Sequence, residues 1–250
     1  MCGRYLRHFM FKINPFHLFW LSVLCVAAMS CGNCIKGTGE IHEEDRLLPL
    51  FTEVSCNSSV NVTIKPLAAG EKPKVIVRAQ SMLMPMIITR VSGNELRIET
   101  EGCWQSSEVT EVVVFASSLE TIQMSGSGSL ICEAVQASDE VRLINSGSGD
   151  IQFLAESQDV SAEQSGSGEI RITGNSNKIE VNSSGSGDLE AAECMNNDLE
   201  VNLSGSGNVT AYATASADMT LTGSGNISFL GNPSNIQTKD NGSGEIRAIK

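Results

Sequence analysis

The chain has 250 residues, with 29 acidic side chains against 17 basic ones and a formal net charge of −12 at pH 7. The first thirty residues hold three of the basic side chains and no acidic one, so the remainder carries a net charge of −15. A surface this acidic repels phosphate backbones and argues against a nucleic acid as partner. Hydrophobic residues make up 41% and fall in regular patterns, which indicates a folded chain.

The N-terminus is typical of an export signal. Arg4, Arg7 and Lys12 precede an apolar run over Leu18–Met29. This run is too short for an ordinary membrane-spanning helix and suits the apolar region of a secretory signal. We therefore predict that the protein is exported.

The run ends in Ala28-Met29-Ser30-Cys31, which resembles the lipobox of bacterial lipoproteins, where small residues precede a cysteine that is lipidated and becomes the mature N-terminus. This predicts a lipoprotein signal over residues 1–30, lipidation at Cys31 and a membrane contact through that lipid. The alternative is a plain secretory signal cleaved nearby, with Cys31 an ordinary thiol. The expected location is the cell envelope of a Gram-negative bacterium, on its outer membrane.

Residues 31–45 are Gly-rich and charged, and are predicted to be a tether between the lipid and the folded part. One domain is predicted over residues 46–250. Its first part, residues 46–118, has short runs in which apolar residues alternate with polar ones, which is typical of β-strands. After the signal, no segment shows a sustained helical period.

The second part, residues 119–250, contains seven copies of Gly-Ser-Gly, whose first glycines are 21, 19, 19, 20, 18 and 19 residues apart. A fixed period near twenty is typical of a solenoid, in which each repeat stacks on its neighbours. We predict structural turns at these glycines, where the backbone either has a positive φ or packs too closely for a Cβ. The glycines are Gly126, Gly128, Gly147, Gly149, Gly166, Gly168, Gly185, Gly187, Gly205, Gly207, Gly223, Gly225, Gly242 and Gly244.

Apolar residues occupy fixed positions around each copy, four and six before the first glycine and two and four after the second. Even spacing puts them on one side of two short strands that meet at the Gly-Ser-Gly corner. Antiparallel hairpins are the alternative, but repeats of unequal length would then shift the register. The columns favour a right-handed parallel β-helix of 19–20 residues per coil, with the length differences absorbed at Ala155–Gln158 and Ala192–Asn197. One column is Leu130, Ile151, Ile170, Leu189, Val209, Ile227 and Ile246.

The repeated Ser-Gly-Ser-Gly followed by an acid and Ile or Leu, and Gly231-Asn232-Pro233 before the last repeat, resemble the head GIN domain of putative auto-transporter adhesins. The resemblance covers roughly residues 45–250. It implies a secreted or lipoprotein β-helix that binds a glycan or protein ligand, and it brings no catalytic motif. A carbohydrate-active β-helix enzyme and a purely structural envelope protein are the alternatives.

Catalytic and metal-binding signals are weak. The only histidine after the signal is His42, so a His-based triad is not expected and we predict that the protein is not an enzyme. Cys34, Cys56, Cys103, Cys132 and Cys194 form no zinc-ligand pattern. A Cys56–Cys103 disulfide is compatible with an oxidising compartment, and the sequence leaves it open together with the oligomeric state.

Two further features are candidates for ligand contact. Asp150, Glu169 and Asp188 each follow a Gly-Ser-Gly and would stack about 5 Å apart, so Ca²⁺ could relieve their repulsion. The alternative is a solvated column of charge, with no cofactor bound. Trp104 could stack on a sugar ring or, alternatively, cap the first coil.

Overall fold

The computed structural model describes residues 34–133 and 136–250. These residues form β-strands and one 3₁₀ turn. Among them no helix is long and apolar enough to cross a membrane. The predicted signal over residues 1–30 and the lipidation site Cys31 lie outside the described residues.

Nine strands and the turn precede the Gly-Ser-Gly repeats. In chain order they are β1 (Ile35–Lys36), β2 (Ile41–Leu47), β3 (Glu53–Asn57), β4 (Asn61–Pro66), β5 (Lys74–Gln80), the 3₁₀ turn (Met84–Met86), β6 (Ile87–Ser92), β7 (Glu95–Thr100), β8 (Trp104–Gln105) and β9 (Glu111–Ala116).

Thirteen strands form the repeat region. They are β10 (Ser118–Met124), β11 (Ser129–Cys132), β12 (Gln136–Asn145), β13 (Asp150–Gln164), β14 (Ile170–Ser183), β15 (Leu189–Ala191), β16 (Cys194–Met195), β17 (Asp198–Leu203), β18 (Val209–Tyr212), β19 (Ser216–Leu221), β20 (Ile227–Leu230), β21 (Asn235–Asp240) and β22 (Ile246–Ala248).

The repeats stack as a parallel β-solenoid of about six turns. Strands before the corner pair in parallel register one repeat apart, as in Val181 with Val201 and Val201 with Met219. Strands after the corner do the same, as in Val209 with Ile227. The predicted all-β parallel coil is therefore confirmed, and antiparallel hairpins are not used in the repeats.

The solenoid begins before the first Gly-Ser-Gly, and its first coils are not in chain order. Strands β3 and β4 form a coil that pairs in parallel with β10 and β11 on one edge. On the other edge the same coil pairs in parallel with β7 and β9, which come later in the chain than β3 and β4. Residues 46–118 are thus continuous with the solenoid.

Antiparallel strands close the N-terminal end. Strand β6 pairs with β7, and β2 and β5 extend the sheet beyond β9. The side chain of Arg46 on β2 spans this end, because its Nη1 donates to the Ile87 carbonyl oxygen at 2.7 Å and to Thr89 Oγ1 at 3.1 Å. One guanidinium thus joins β2 to β6, the outermost strands at this end, and satisfies an edge carbonyl.

The predicted apolar columns form the core. Leu130, Ile151, Ile170, Val209 and Ile227 are fully buried. The last coil differs, because Ile236 is 50% exposed and β21 is exposed along its whole length. Apolar side chains therefore fill a continuous interior that stops before the last coil, which β21 and β22 form.

Close packing, not backbone conformation, explains the corner glycines. The glycines with positive φ are others, such as Gly39, Gly174 and Gly231. A Cβ on Gly166 would lie 1.9 Å from the carbonyl oxygen of Gly147 in the coil below, and one on Gly168 would lie 1.9 Å from that of Gly149. The corners therefore stack backbone on backbone, which only glycine allows.

The first coil supports this explanation. Its corner carries Ser58 and Val60 at the positions equivalent to Gly126 and Gly128. Both side chains are buried, and the Ser58 hydroxyl donates to Thr100 Oγ1 at 3.5 Å. In the neighbouring coil, β7 and β9 are joined by residues 101–110 instead of a three-residue corner, and part of that segment, β8, pairs with β1, so the backbone next to Ser58 and Val60 follows a different path.

Two expectations, one about residues 34–45 and one about Ala155–Gln158, are wrong, and the structure answers the question of the disulfide that the sequence left open. Residues 34–45 are not a tether, because β1 pairs with β8 and β2 pairs antiparallel with β5. The disulfide joins Cys34 to Cys103, and Cys56 is a buried thiol outside it. Residues Ala155–Gln158 do not absorb the length differences, because β13 runs through them without a break.

Candidate functional site

A groove with many polar side chains runs along the side of the solenoid, where strands enter the corner. Its volume is about 360 Å³. One wall consists of the outward-facing side chains that stand three residues before the first glycine of each repeat. The other wall consists of the hydroxyl groups of the residues directly before that glycine. We call this surface the corner groove; its walls are Glu163, Asn182, Asn202 and Thr220, and Ser165, Ser184, Ser204 and Thr222.

A second concavity, of about 620 Å³, lies directly over the corner and shares the hydroxyl wall with the groove. Its floor is the stacked backbone of the first glycines, such as Gly185 and Gly205, which carry no side chain. A second row of exposed hydroxyls, including Ser186 and Ser206, forms its far wall. We call this surface the glycine trough. The packing that requires glycine thus also produces the concavity.

The amides in the corner groove form a ladder between coils. Asn202 Nδ2 donates to Asn182 Oδ1 at 3.2 Å, and Asn182 Nδ2 donates to Glu180 Oε1 at 3.0 Å. Each amide has two donor hydrogens and two acceptor lone pairs, so these bonds leave donors and acceptors directed to solvent. The groove can therefore donate and accept hydrogen bonds at regular intervals of about 4.8 Å.

The acids predicted to form a ladder lie along one edge of the solenoid, as the repeat implies. Their carboxylates accept hydrogen bonds or form ion pairs. Asp150 Oδ1 accepts the backbone N–H of Glu169 at 2.8 Å, and Asp188 Oδ1 accepts that of Asn208 at 2.7 Å. Glu169 pairs with Arg171 at 2.5 Å. Asp150 and Asp188 thus fasten their coils to the next one, whereas Glu169 forms an ion pair within its own coil. Across residues 34–133 and 136–250, no three His, Cys, Asp or Glu side chains converge as metal ligands.

Basic side chains in the repeats pair with acids in adjacent coils. Arg142 contacts Glu163, and Lys178 Nζ lies 3.0 Å from Glu200 Oε2. The hydrogen bond that Lys178 donates to Glu200 raises the pKa of Lys178. These pairs are exposed and stabilise little individually. Opposite charges about twenty residues apart in the sequence are the signal from which this pairing could have been predicted.

Trp104 lies away from both concavities. It is on β8, half-buried, and packs against the core at the N-terminal end, where its backbone pairs with Ile35. The ladder acids lie on the repeats, so the structure does not bring Trp104 and those carboxylates together. Ligand stacking by Trp104 stays a prediction.

A column of buried polar side chains was not predicted from the sequence. Asn145 and Gln164 stand two residues before their first glycines and are fully buried. Asn145 Nδ2 donates to the Gly149 carbonyl oxygen at 2.8 Å, and its Oδ1 accepts the Gly147 N–H at 3.2 Å. The amide therefore ties its own corner together from the inside. The sequence signal that could have revealed this column is the even spacing between these polar residues and the apolar columns.

Strong pKa shifts fall on thiols in the core. Burial raises the pKa of Cys56 to about 12 and that of Cys194 to about 11. At the N-terminal end, the hydrogen bond from Arg46 lowers the pKa of Glu44. Buried thiols and exposed ion pairs are features of packing, whereas acid–base catalysis needs a shifted group in a cleft.

Comparison with known proteins decides the family. The family model of the putative auto-transporter adhesin, head GIN domain, matches residues 50–233. The chain belongs to this family. A search of curated proteins finds no match.

Solved structures share the fold of this head GIN domain. A putative adhesin from Bacteroides fragilis is 20% identical with a TM-score of 0.80, and the match covers 86% of this chain and 100% of that one. A putative lipid binding protein from Parabacteroides distasonis is 22% identical with a TM-score of 0.69, covering 87% and 100%. A putative adhesin from Parabacteroides merdae is 17% identical with a TM-score of 0.63, covering 88% and 100%. These neighbours are named as adhesins or binding proteins rather than enzymes.

Proposed function

We propose that this head GIN domain is an adhesin-like binding protein of the cell envelope, held by a lipid on Cys31, that binds an extracellular ligand through the corner groove and the glycine trough. One observation carries the proposal. Two continuous concavities follow the corner across at least four successive coils, and both are lined by hydroxyl and amide groups.

The chemistry of these surfaces favours a glycan as ligand. A chain of sugar residues presents hydroxyls at regular intervals, and the solenoid repeats its own donors and acceptors about every 4.8 Å. The one acid in the groove walls, Glu163, is paired with Arg142, so the lining is close to neutral. A protein ligand is the alternative, and it would favour apolar side chains at the centre of its interface, whereas ten of the twelve residues that line the groove are polar and two, Ile144 and Leu203, are apolar.

Export to the envelope has independent support. The lipobox-like Ala28-Met29-Ser30-Cys31 follows an apolar run. The Cys34–Cys103 disulfide suits an oxidising compartment outside the cytosol. The family's description as a putative auto-transporter adhesin agrees with both signals.

Binding should be tested with the full chain, processed and lipidated in a bacterial host and purified in detergent, on arrays of glycans and of surface proteins. In a groove variant that combines Asn202→Ala with Thr220→Ala, two hydrogen-bonding side chains are lost, so the expected affinity falls by roughly 10-fold or more. Thr210→Ala is the matched control, because Thr210 is outward on β18, outside both concavities.

Each outcome decides between the candidates. Glycan binding that weakens in the groove variant and not in Thr210→Ala supports the proposal. Binding that both variants retain places the ligand elsewhere. Cleavage of a bound polysaccharide would favour the enzyme alternative, and the absence of any ligand on both arrays would favour a purely structural envelope protein.

A further inference from the structure

The segment that follows the predicted lipidation site is fastened to the folded head. Cys34 is joined to Cys103 by the disulfide, and Ile35 and Gly37 donate backbone hydrogen bonds to the carbonyl oxygens of Cys103 and Gln105 at 2.9 and 2.7 Å. Residue 34 therefore cannot move away from the N-terminal end of the solenoid while the disulfide is intact.

Close packing continues along this segment. A Cβ on Gly37 would lie 2.3 Å from Gln80 Oε1, and one on Gly39 would lie 2.1 Å from Ser81 Oγ. The Ser81 N–H also donates to the Glu40 carbonyl oxygen at 3.0 Å. Residues 34–41 thus lie flat against the turn that follows β5.

Covalent reach then fixes where a lipid on Cys31 can be. Cys34 is the third residue after Cys31, and a fully extended chain of three residues spans at most about 11 Å. A free tether over residues 31–45 would instead reach roughly 50 Å. The disulfide therefore holds the N-terminal end of the head close to any bilayer into which the lipid inserts.

That end carries a group of exposed apolar side chains around Gln80. Ile41 is paired with Gln80, and Met82 donates its N–H to the Thr38 carbonyl oxygen at 3.4 Å. Ser106 Oγ lies within hydrogen-bond distance of Gln80 Oε1, at 3.0 Å, and of the Glu108 carbonyl oxygen, at 2.8 Å, which places Val109, the next residue, close to Gln80. We call this group the end patch; its members are Ile35 (46% exposed), Ile41 (38%), Met82 (51%) and Val109 (59%).

We propose that the end patch is a membrane-docking surface: with the lipid on Cys31 inserted, the disulfide seats Ile35, Ile41, Met82 and Val109 on the bilayer and directs the solenoid away from it. The inference rests on the lipid anchor of the proposed function. Burying apolar side chains at the bilayer surface is favourable. Lys36, Glu40 and Glu108 border the patch, two acids against one base, so a bilayer without net negative charge is the suitable partner.

The test uses the fluorescence of Trp104 as its reporter. Trp20 belongs to the predicted signal, so Trp104 is the single tryptophan after cleavage at Cys31, and it pairs with Ile35 inside the docking region. The lipidated full-chain product is reconstituted in phosphatidylcholine vesicles with or without bromine on the acyl chains. The expected result is a loss of Trp104 emission in the brominated vesicles.

Two variants separate docking from mere attachment. Met82→Gln together with Val109→Asn, both at exposed positions, should reduce the quenching and leave the melting temperature unchanged. Met195→Gln is the matched control, because Met195 is 58% exposed and lies on β16, far along the chain from the patch. Cys34→Ser with Cys103→Ser should also reduce quenching, because it frees the segment that carries the lipid.

The failures can be told apart. Mass spectrometry that finds no lipid on Cys31 overturns the anchor and the docking surface together. A lipidated protein that co-floats with vesicles but shows equal Trp104 emission with and without bromine overturns the docking surface alone. Conversion of a detergent-soluble dimer into a monomer by the Met82 and Val109 substitutions would make the patch an interface between copies, and would also overturn it.

Discussion

Substituting alanine for Gly168 tests the explanation of the corners. Gly168 is buried, and a Cβ added to it would lie 1.9 Å from the Gly149 carbonyl oxygen and 2.7 Å from its carbonyl carbon. Carbon and oxygen atoms approach to about 3.3 Å in ordinary close contacts, so the two backbones must separate by roughly 1.4 Å. The neighbouring atoms are backbone, so no side chain can rotate away.

A shift of that size breaks bonds between coils. The N–H groups of Ser167 and Gly168 donate to the Gly147 carbonyl oxygen at 2.9 and 3.4 Å, and both bonds would lengthen beyond useful range. Two lost hydrogen bonds and the strain of overpacking together cost about 2–5 kcal/mol. For a chain of this size we expect the melting temperature to fall by roughly 5–15 °C.

The assay is thermal and urea unfolding followed by circular dichroism, with Ser167→Ala as control. Ser167 is exposed between the two glycines of the same corner, so the loss of its hydroxyl should change stability by less than about 0.5 kcal/mol. A Gly168→Ala protein that melts with the wild type, or with Ser167→Ala, would refute the close-packing explanation of the repeat.

Four further outcomes are expected. Cys103→Ser should lower the free energy of unfolding by about 2–4 kcal/mol in urea, because the disulfide closes a long loop. Cys56 and Cys194 hold their protons more tightly when folded, so their contribution to stability should be full below pH 9 and decline above it in pH-dependent melts. Asn145→Leu should cost about 1–3 kcal/mol on urea unfolding, because the Gly147 N–H loses its partner. A chelator should leave the melting temperature unchanged, since the ladder acids accept backbone hydrogen bonds.

The repeat region could be predicted because each coil repeats one rule. Apolar residues such as Ile151 and Ile170 recur at the same position of each repeat, and this recurrence alone predicts that they share one interior. The choice between positive φ and close approach at the glycines could not be made from sequence, because it depends on the backbone of the coil below. The corner with Ser58 and Val60 shows how that dependence works.

The N-terminal region was harder because its partners are distant in sequence. The order of β3, β7 and β10 in the sheet depends on which edge each crossover reaches, and no local pattern records that. The disulfide between Cys34 and Cys103 likewise depends on how strands that are distant in sequence are arranged in the fold. The corner groove was missed because its residues are small and polar, and they acquire a common surface only when the coils are stacked.

The interleaved start of the solenoid has a consequence for how the rod is assembled. The coil of β3 and β4 lacks a neighbour on either side until residues 95–116 and then 118–132 have joined it. Each later coil pairs with a coil formed by residues that precede it in the chain. A chain shortened at a corner near residue 204 should therefore keep a shorter rod, whereas deleting residues 95–116 removes one of the two neighbours of the coil of β3 and β4.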